Sequence, residues 1–184
     1  FIGRSNVGKS SLINMLCNNS KLAKISAQPG KTQLINHFEI EGRHSKTHQK
    51  QHWYLVDLPG YGFAYESKKK RNEWKQMIEH YFTKRPNIAY TFVLIDSRLP
   101  PQAIDLEFIS HFKTWRIPFA LVFTKTDKEK NKNILLHTQL FLDEMKKTWQ
   151  FLPQCFMTST RNKTGREELL QFITATNENF MAHS

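Results

Sequence analysis

Cysteine, acidic residues and long apolar runs are all scarce in this chain of 184 residues. The two cysteines, Cys17 and Cys155, lie far apart in apolar surroundings, which argues against a disulfide framework or a cysteine metal motif and indicates reduced residues of a cytoplasmic protein. No apolar run approaches the length that spans a membrane, so we expect no membrane partner. No repeat or low-complexity linker divides the sequence, and we expect one domain over residues 1–184.

Because acidic residues are scarce, the chain has an excess of positive charge. Lysine and arginine number 27 against 16 acidic residues, which gives a formal net charge of +11. This excess suggests a polyanionic partner, with nucleic acid ahead of a membrane surface, although an inert basic surface would also account for it. Cations concentrate at Lys68–Arg71, near Lys75, Lys84 and Arg85. That run is either a solvated helix face or a surface that contacts RNA.

Short apolar runs indicate buried strands at Ile35–Ile40, Trp53–Asp57, Thr91–Asp96, Phe119–Thr124 and Gln154–Thr158. Helical spacing connects Trp74, Met77, Ile78, Tyr81 and Phe82; Leu106, Ile109 and Phe112; Leu136, Leu140, Phe141 and Met145; and Leu169, Leu170 and Ile173. The alternation predicts an α/β fold with a mainly parallel sheet, helices on both faces and ligands at the carboxyl ends of the strands. Because only two residues precede Gly3, we expect the first strand to be truncated.

The first motif fits the pattern G-x-x-x-x-G-K-[ST] and leads into a helical run through Ser11; its residues are Gly3, Arg4, Ser5, Asn6, Val7, Gly8, Lys9 and Ser10. The glycines permit a loop whose backbone amides point at phosphates. We expect Lys9 to reach the β- and γ-phosphate oxygens and the Ser10 hydroxyl to bind Mg²⁺. Taken alone, the pattern also occurs in unrelated turns, and it suits an adenine nucleotide as well as a guanine one.

A strand that ends in Asp-x-x-Gly supplies the second motif, made of Asp57, Leu58, Pro59 and Gly60. We expect Asp57 to hold the magnesium ion through water and the Gly60 amide to sense the γ-phosphate. Taken alone, the motif is explained equally well as a glycine-containing turn after a strand.

The third motif, Thr-Lys-x-Asp, discriminates between bases, and its residues are Thr124, Lys125, Thr126 and Asp127. A carboxylate can accept hydrogen bonds from the N1–H and the N2 amino group of guanine. Adenine lacks that amino group, so it would leave a buried carboxylate unpaired. A solvated loop is the alternative for the tetrapeptide alone, but its position behind a hydrophobic strand and after the other two motifs favours a guanine nucleotide.

Two weaker motifs complete the predicted nucleotide site. The segment between the first helix and the next strand would be switch I, with Thr32 as a second protein ligand to Mg²⁺; its residues are Pro29, Gly30, Lys31, Thr32 and Gln33. Backbone amides after the last strand would meet the guanine O6 at Thr158, Ser159 and Thr160. We expect Lys9, Thr32 and Gly60 to act in hydrolysis.

With these five motifs in order, the chain resembles the YihA/YsxC (EngB-type) family of ribosome-associated GTPases, in the Ras-like P-loop class. The resemblance spans nearly the whole chain and rests on Gly3–Ser11, Pro29–Gln33, Asp57–Gly62, Asp96–Pro101, Thr124–Asp127 and Gly165–Leu169. It implies a mainly parallel six-stranded sheet with one antiparallel strand. It also implies a GTP- and GDP-binding cytoplasmic monomer that acts in large ribosomal subunit assembly and is needed for normal cell division.

A glutamine just after Asp-x-x-Gly orients the attacking water in Ras-like enzymes, whereas this chain has Tyr61 there. We therefore expect slow intrinsic hydrolysis. In some related GTPases an asparagine at the position of Asn6 helps to hold a potassium ion beside the phosphates, so potassium is a candidate cofactor beside Mg²⁺. The alternative is that Asn6 only forms hydrogen bonds within its loop.

Two other functions would place different demands on the sequence. A P-loop kinase would need an arginine-rich lid and would not need Thr-Lys-x-Asp, whereas a nucleic-acid-binding module would use its nucleotide mainly to stabilise the fold. The spacing of His44, His48 and His52 would align metal ligands on a helix, but their polar surroundings between two strands indicate a hairpin or loop instead.

Overall fold

The computed structural model describes residues 1–23, 34–44, 47–62 and 67–182. Its central sheet has four parallel strands in the order β1 (Ile2–Gly3), β4 (Thr91–Asp96), β5 (Phe119–Thr124) and β6 (Cys155–Met157). Every residue of β4 and β5 is buried, which confirms the prediction of strands covered on both faces. The register pairs Asp96 with Thr124, so these strands end together at one edge of the sheet.

The remaining strands, β2 (Asn36–Arg43) and β3 (Lys50–Asp57), form an antiparallel pair. The pair lies beside β1, because the Phe1 nitrogen donates to the Val56 carbonyl at 2.7 Å and the Leu58 amide donates to the Phe1 carbonyl at 3.0 Å. The resemblance implied one antiparallel strand within a six-stranded sheet; in the structure the antiparallel pairing joins β2 to β3, in a ladder separate from the four parallel strands. Although β1 is only two residues long, it pairs with Val93 and Leu94 in the middle of β4.

Helices cover both faces of the sheet: α1 (Lys9–Leu16), α2 (Lys68–Lys84), α3 (Ala103–Ser110), α4 (Phe112–Trp115), α5 (Asn131–Lys146) and α6 (Arg166–Ala182). One buried cluster receives apolar side chains from α2, α3, α4 and α5, and the other receives them from α1 and α6. Of the helices in the described ranges, none is long and apolar enough to cross a bilayer. Cys17 and Cys155 are free, half-buried thiols that pack against the two clusters.

Two of the predicted helical stripes differ from the buried ones. On α5, Leu136 and Leu140 are 51% and 42% exposed, so only Phe141 and Met145 of that stripe are buried. The stripe of Leu106, Ile109 and Phe112 is buried at Ile109 and at Phe112, which lies on α4, and half-buried at Leu106; α3 also buries Asp105 and Phe108. Helical spacing shows that apolar residues share a face, but the neighbouring elements decide which part of that face is covered.

Candidate nucleotide site

The predicted phosphate-binding loop, Gly3–Ser10, runs from the end of β1 into α1. Gly8, the residue before the helix, has a φ of 105°, a left-handed conformation that favours glycine. Lys9 begins the helix with its ammonium group buried and paired with the carboxylate of Asp57, which ends β3. The structure therefore brings together the lysine of the first motif and the aspartate of the second.

The segment after Asp57 continues along the phosphate-binding loop. The Tyr61 amide donates to the Gly3 carbonyl and the Ser5 amide donates to the Tyr61 carbonyl, both at 3.1 Å. Gly60 is pressed against the same loop, since a Cβ atom there would lie 2.7 Å from the Gly3 carbonyl oxygen. Only glycine fits at this distance without displacing the backbone. The second motif is thus held against the first by its main chain.

The Tyr61 side chain is buried in the core cluster formed with α2, α3, α4 and α5. Its ring stacks on Phe108, with centroids 4.4 Å apart, and its hydroxyl donates to Asp105 at 2.9 Å. The Arg4 Nε atom donates to both oxygens of the same carboxylate at 3.0 Å. Burial raises the pKa of Asp105, and Arg4 and the Tyr61 hydroxyl offset only part of that rise. Burial, followed by the Asp105 charge, raises the pKa of Tyr61 well above its usual value.

Lys125 connects the third motif to the phosphate-binding loop. Its φ of 63° turns the chain sharply after β5. Its ammonium group donates to the Asn6 carbonyl at 2.5 Å and to Asp96 at 2.8 Å, and Arg98 donates to both oxygens of that aspartate. Burial alone would raise the pKa of Asp96, but the hydrogen bonds from Arg98 and Lys125 lower it overall. The lysine stem passes over Gly8, whose added Cβ would lie 3.7 Å from the Lys125 Cε atom.

Threonine hydroxyls fix the third motif on both sides. Thr124 donates to the Val7 carbonyl at 2.6 Å, which joins β5 to the phosphate-binding loop. Thr126 donates through both its amide and its hydroxyl to the Thr158 carbonyl at 3.2 Å. The fifth motif therefore lies beside the third, as predicted from their positions after neighbouring strands.

One carboxylate oxygen of Asp127 accepts a hydrogen bond and the other does not. Its side chain is 6% exposed, and its Oδ1 atom accepts a hydrogen bond from the Ser159 hydroxyl at 2.6 Å. Its Oδ2 atom has no hydrogen-bond partner, although the Lys128 ammonium lies 3.7 Å away. The hydrogen bond from Ser159 lowers the pKa of Asp127 against the opposing effect of burial. A buried, ionised carboxylate with one free oxygen can accept further N–H donors from a ligand.

Several residues that were predicted for the site are not part of the arrangement described above. Pro29–Gln33, including Thr32, lies outside the described residues. The Leu58 side chain is part of the core, and Thr160 is exposed in the turn after β6. The Arg4 guanidinium binds Asp105, so only the backbone of Arg4 remains to take part in a phosphate cradle.

Asp96 and Asp105 belong to this site but were not predicted as site residues from the sequence. Asp96 could have been found, because it ends a buried strand as Asp57 does, at the edge where ligands bind. The sequence pattern around Asp105 is a weaker indication: an acidic residue lies three positions before Phe108 and four before Ile109, which are both apolar. Its partners are far away in the chain, so no local pattern identifies them.

The three spaced histidines and the basic run Lys68–Arg71 lie outside this site. His44 and His48 lie at the turn of the β2–β3 hairpin and His52 lies on β3; across the part of the chain that the structure describes, no group of three His, Cys, Asp or Glu side chains could hold a metal ion. Lys68–Arg71 forms the exposed first turn of α2. The histidines lie in the predicted hairpin, whereas the exposure of the basic run agrees both with a solvated helix face and with a surface that contacts RNA.

The family model described as a 50S ribosome-binding GTPase matches residues 1–125. A Bacteroides thetaiotaomicron protein named "Probable GTP-binding protein EngB" is 50% identical over 173 residues, which cover 94% of this chain and 81% of that protein. The chain belongs to the EngB family. Another EngB-family protein, from Flavobacterium psychrophilum, is 48% identical over 179 residues, covering 97% of this chain and 83% of that one.

Solved structures of similar fold include Era proteins. An Aquifex aeolicus Era variant bound to GDP·AlF4⁻ has a TM-score of 0.74 at 22% identity and covers 95% of this chain and 55% of that one. Era in complex with MgGDPNP and nucleotides 1506–1542 of 16S ribosomal RNA has a TM-score of 0.71 at 24% identity, covering 95% and 54%. These likenesses show the Ras-like P-loop fold. The predicted fold class is thereby confirmed, and the predicted family is confirmed by the EngB relatives at 48–50% identity.

Proposed function

We propose that this EngB-family protein is a GTP-binding, GTP-hydrolysing molecular switch made of one domain. The observation that carries the proposal is the free Oδ2 atom of Asp127, buried beside a paired Oδ1 at the end of the parallel sheet. Guanine offers two adjacent donors, N1–H and N2–H, to such a carboxylate. Adenine offers no matching pair and would leave the carboxylate unsatisfied, which is costly in a buried site.

A nucleotide competition assay tests the specificity. We expect GTP and GDP to bind with micromolar or tighter affinity and ATP to bind at least about a thousandfold more weakly, because a site built to bond a ligand donor rejects analogues that lack it. Equal affinities for ATP and GTP would contradict the guanine assignment. Equal affinities would also favour the alternative that the chain is a P-loop kinase.

The phosphates and Mg²⁺ would be bound by the first two motifs, with Thr32 as a further proposed ligand. The Ser10 hydroxyl and the Asp57 carboxylate suit magnesium, which prefers oxygen ligands and keeps several waters. Asp57 already carries a buried cation, the Lys9 ammonium, so the position tolerates positive charge. When bound, Mg²⁺ would neutralise phosphate charge during hydrolysis. Lys9 would then exchange part of its pairing with Asp57 for the β- and γ-phosphate oxygens.

Slow hydrolysis is supported by where the Tyr61 hydroxyl points. Because that hydroxyl donates to Asp105 in the core, it does not serve to orient an attacking water. We expect Tyr61→Phe to change kcat at saturating GTP by less than about tenfold. A loss of about a thousandfold, roughly 4 kcal/mol of barrier, would show that Tyr61 is catalytic.

The potassium proposal has a separate test at Asn6. The Asn6 side chain is exposed, and the backbone carbonyl of Asn6 accepts a hydrogen bond from the Lys125 ammonium. Exchanging potassium for sodium in the hydrolysis assay should slow the reaction of the parent protein but leave that of Asn6→Ala unaffected. An equal rate in the two salts would contradict a potassium role.

The proposed partner is the large ribosomal subunit, reached through a basic face that includes Lys68–Arg71, in a cytoplasmic monomer that acts in subunit assembly and supports cell division. The matched family model is described as 50S ribosome-binding. These cations occupy the first turn of α2, which contains no acidic residue. The positive end of the helix dipole disfavours cations there, so an anionic partner would relieve the repulsion.

Co-sedimentation with separated ribosomal subunits tests this partner. We expect binding to the large subunit to be strongest with GTP and to weaken with salt by a log–log slope of roughly −0.9 per phosphate contact, transferred from B-form DNA. Reversing Lys68, Lys69 and Lys70 to glutamate should weaken binding and flatten the slope while leaving GTP affinity intact. The matched control reverses Lys132 and Lys146 on α5 and Lys147 just after it, which changes net charge equally.

Co-sedimentation and single-turnover hydrolysis together separate the alternatives. If the α2 and α5 triple variants bind the subunit equally well, the α2 run is only a solvated face. If the GDP and GTP forms bind equally, the protein is not a switch. If single-turnover hydrolysis is undetectable with and without subunits, the chain is a nucleic-acid-binding module whose nucleotide is structural.

A further inference from the structure

Asp105 is a buried carboxylate outside all five nucleotide motifs. It lies on α3, is 0% exposed, and accepts hydrogen bonds from Arg4 and from the Tyr61 hydroxyl. Its neighbours on the same helix face, Phe108 and Ile109, are apolar and buried. A buried carboxylate is costly unless its partners stay in place, so this position depends on both of its donors.

The two donors belong to the two motifs that meet at the phosphates. Arg4 lies between Gly3 and Ser5, and these are the residues whose backbone groups bond to Tyr61. Tyr61 directly follows Gly60. One carboxylate therefore joins the side chains of two segments that are already joined by their main chains.

Gly60 has little room to move within this arrangement. A Cβ atom at Gly60 would lie 2.7 Å from the Gly3 carbonyl oxygen and 3.3 Å from the Ser5 nitrogen, so its backbone is in close contact with the loop. On one side, the Trp74 indole donates to the Pro59 carbonyl at 3.2 Å. On the other side, Asp105 and Phe108 fix the Tyr61 side chain. Of these anchors, the carboxylate is the one that also holds the phosphate-binding loop.

We propose that Asp105 is a positioning residue that fixes the Gly60–Tyr61 turn against the phosphate-binding loop and thereby sets the preference for GTP over GDP. The inference rests on the proposed role of the Gly60 amide as the sensor of the γ-phosphate. GDP lacks that phosphate, so loosening the turn costs contacts to GTP and leaves those to GDP intact. The ratio of the two affinities therefore reports on Asp105.

The test uses the full chain and measures the dissociation constants of GDP and of the non-hydrolysable analogue GDPNP. Asp105→Asn removes the charge and one acceptor while keeping the shape. It should weaken GDPNP by about tenfold, since hydrogen bonds to charged groups are the stronger ones, and change GDP by less than about twofold. Tyr61→Phe removes only the hydroxyl and keeps the ring on Phe108; it should weaken GDPNP by about threefold.

The combined variant and a control sharpen the result. Because the two changes break one linkage, the double variant should bind GDPNP about as well as Asp105→Asn alone. Tyr81→Phe removes a hydroxyl from α2, where the ring packs near His37, Phe82 and Arg85, and should leave both affinities unchanged. If Asp105→Asn fails to fold, Tyr61→Phe and its control decide the matter.

A merely structural role predicts a different pattern. In that case Asp105→Asn and Tyr61→Phe would lower the melting temperature and weaken GDP and GDPNP by the same factor, and the inference would be wrong. Failure of the proposed function would appear in the parent protein, as a lack of guanine-nucleotide binding. A parent that binds both nucleotides, with unchanged affinity ratios in the variants, would overturn the inference alone.

Discussion

The two halves of the site hold their charges differently. The phosphate half comprises Gly3–Ser10 and Asp57–Tyr61, and the base half comprises Thr124–Asp127, Thr158 and Ser159. In the phosphate half the protein pairs its own charges, Lys9 with Asp57 and Arg4 with Asp105. In the base half Lys125 pairs with Asp96, but one buried oxygen of the Asp127 carboxylate accepts no hydrogen bond and has the half-exposed Lys128 ammonium 3.7 Å away.

This difference indicates how each half would respond to a nucleotide. The base half can accept guanine without giving up an internal bond, so it should contribute equally to GDP and GTP binding. The phosphate half must exchange the pairing of Lys9 and Asp57 for phosphate and metal, so its contribution should change with the number of phosphates. The predictions below test that division, from the largest expected effect to the smallest.

Lys9→Met should produce the largest effect. Removing the ammonium should lower the rate of GTP hydrolysis by about a thousandfold, the upper end of the loss for one electrostatic stabiliser. It should also lower the free energy of unfolding by about 3 kcal/mol, because Asp57 would stay buried without its partner. Single-turnover hydrolysis and urea unfolding measure the two effects, with the exposed-lysine variant Lys146→Met as control. If stability does not change, the pairing in the phosphate half is unimportant.

Ser159→Ala should affect the base half only, weakening GDP and GTP equally by about tenfold, because Asp127 loses a charge-assisted hydrogen bond. The variant should also change the pKa of Asp127. Ser159 lowers the pKa of Asp127 from its ordinary value of 3.8, so the ionised form that accepts guanine persists into acid. Without Ser159 the pKa rises, and affinity should begin to fall at a higher pH as the solution is acidified.

Equilibrium binding of a fluorescent GDP between about pH 3.5 and 6 tests this shift, because that range brackets the ordinary titration of aspartate. Ser110→Ala, which removes an exposed hydroxyl from α3, is the matched control. Identical pH profiles for the parent and Ser159→Ala would contradict the account of Asp127. Unequal losses for GDP and GTP would contradict the division between the two halves.

Asp96→Asn should have the smallest effect, about a threefold weakening of both nucleotides. Lys125 would keep its bond to the Asn6 carbonyl and lose only the charged partner that helps to hold its stem. Isothermal titration with GDP and GDPNP measures the change. A loss confined to GDPNP would place Asp96 with the phosphate half instead.

Much of this site could be predicted because its motifs combine a local pattern with a fixed place after a strand. The loop at Gly3–Ser10 and the aspartates Asp57 and Asp127 follow from chemistry that only a few residue types can perform. The register of β4 and β5 then brings their ends to one edge, as parallel strands require. The parallel sheet was predictable for a similar reason, since alternating strands and helices leave few connections.

The parts that could not be predicted depend on contacts between distant segments. The absence of glutamine at Tyr61 was visible in the sequence, but its pairing with Asp105 joins residues 44 positions apart. The exposure of Leu136 and Leu140 likewise depends on which neighbours cover α5. Local spacing carries no information on either, because tertiary packing decides them.

Replacing Asp127 by asparagine tests the central claim most directly. An amide can accept from N1–H through its oxygen and can donate to a C2 carbonyl, so it matches xanthine and mismatches the guanine N2 amino group. Titrating the parent and Asp127→Asn with GDP and with xanthosine diphosphate should therefore reverse the preference, with GDP weakened by at least about a hundredfold and the xanthine nucleotide bound more tightly than GDP. Unchanged GDP affinity in Asp127→Asn would contradict the assignment of Asp127 as the residue that recognises guanine.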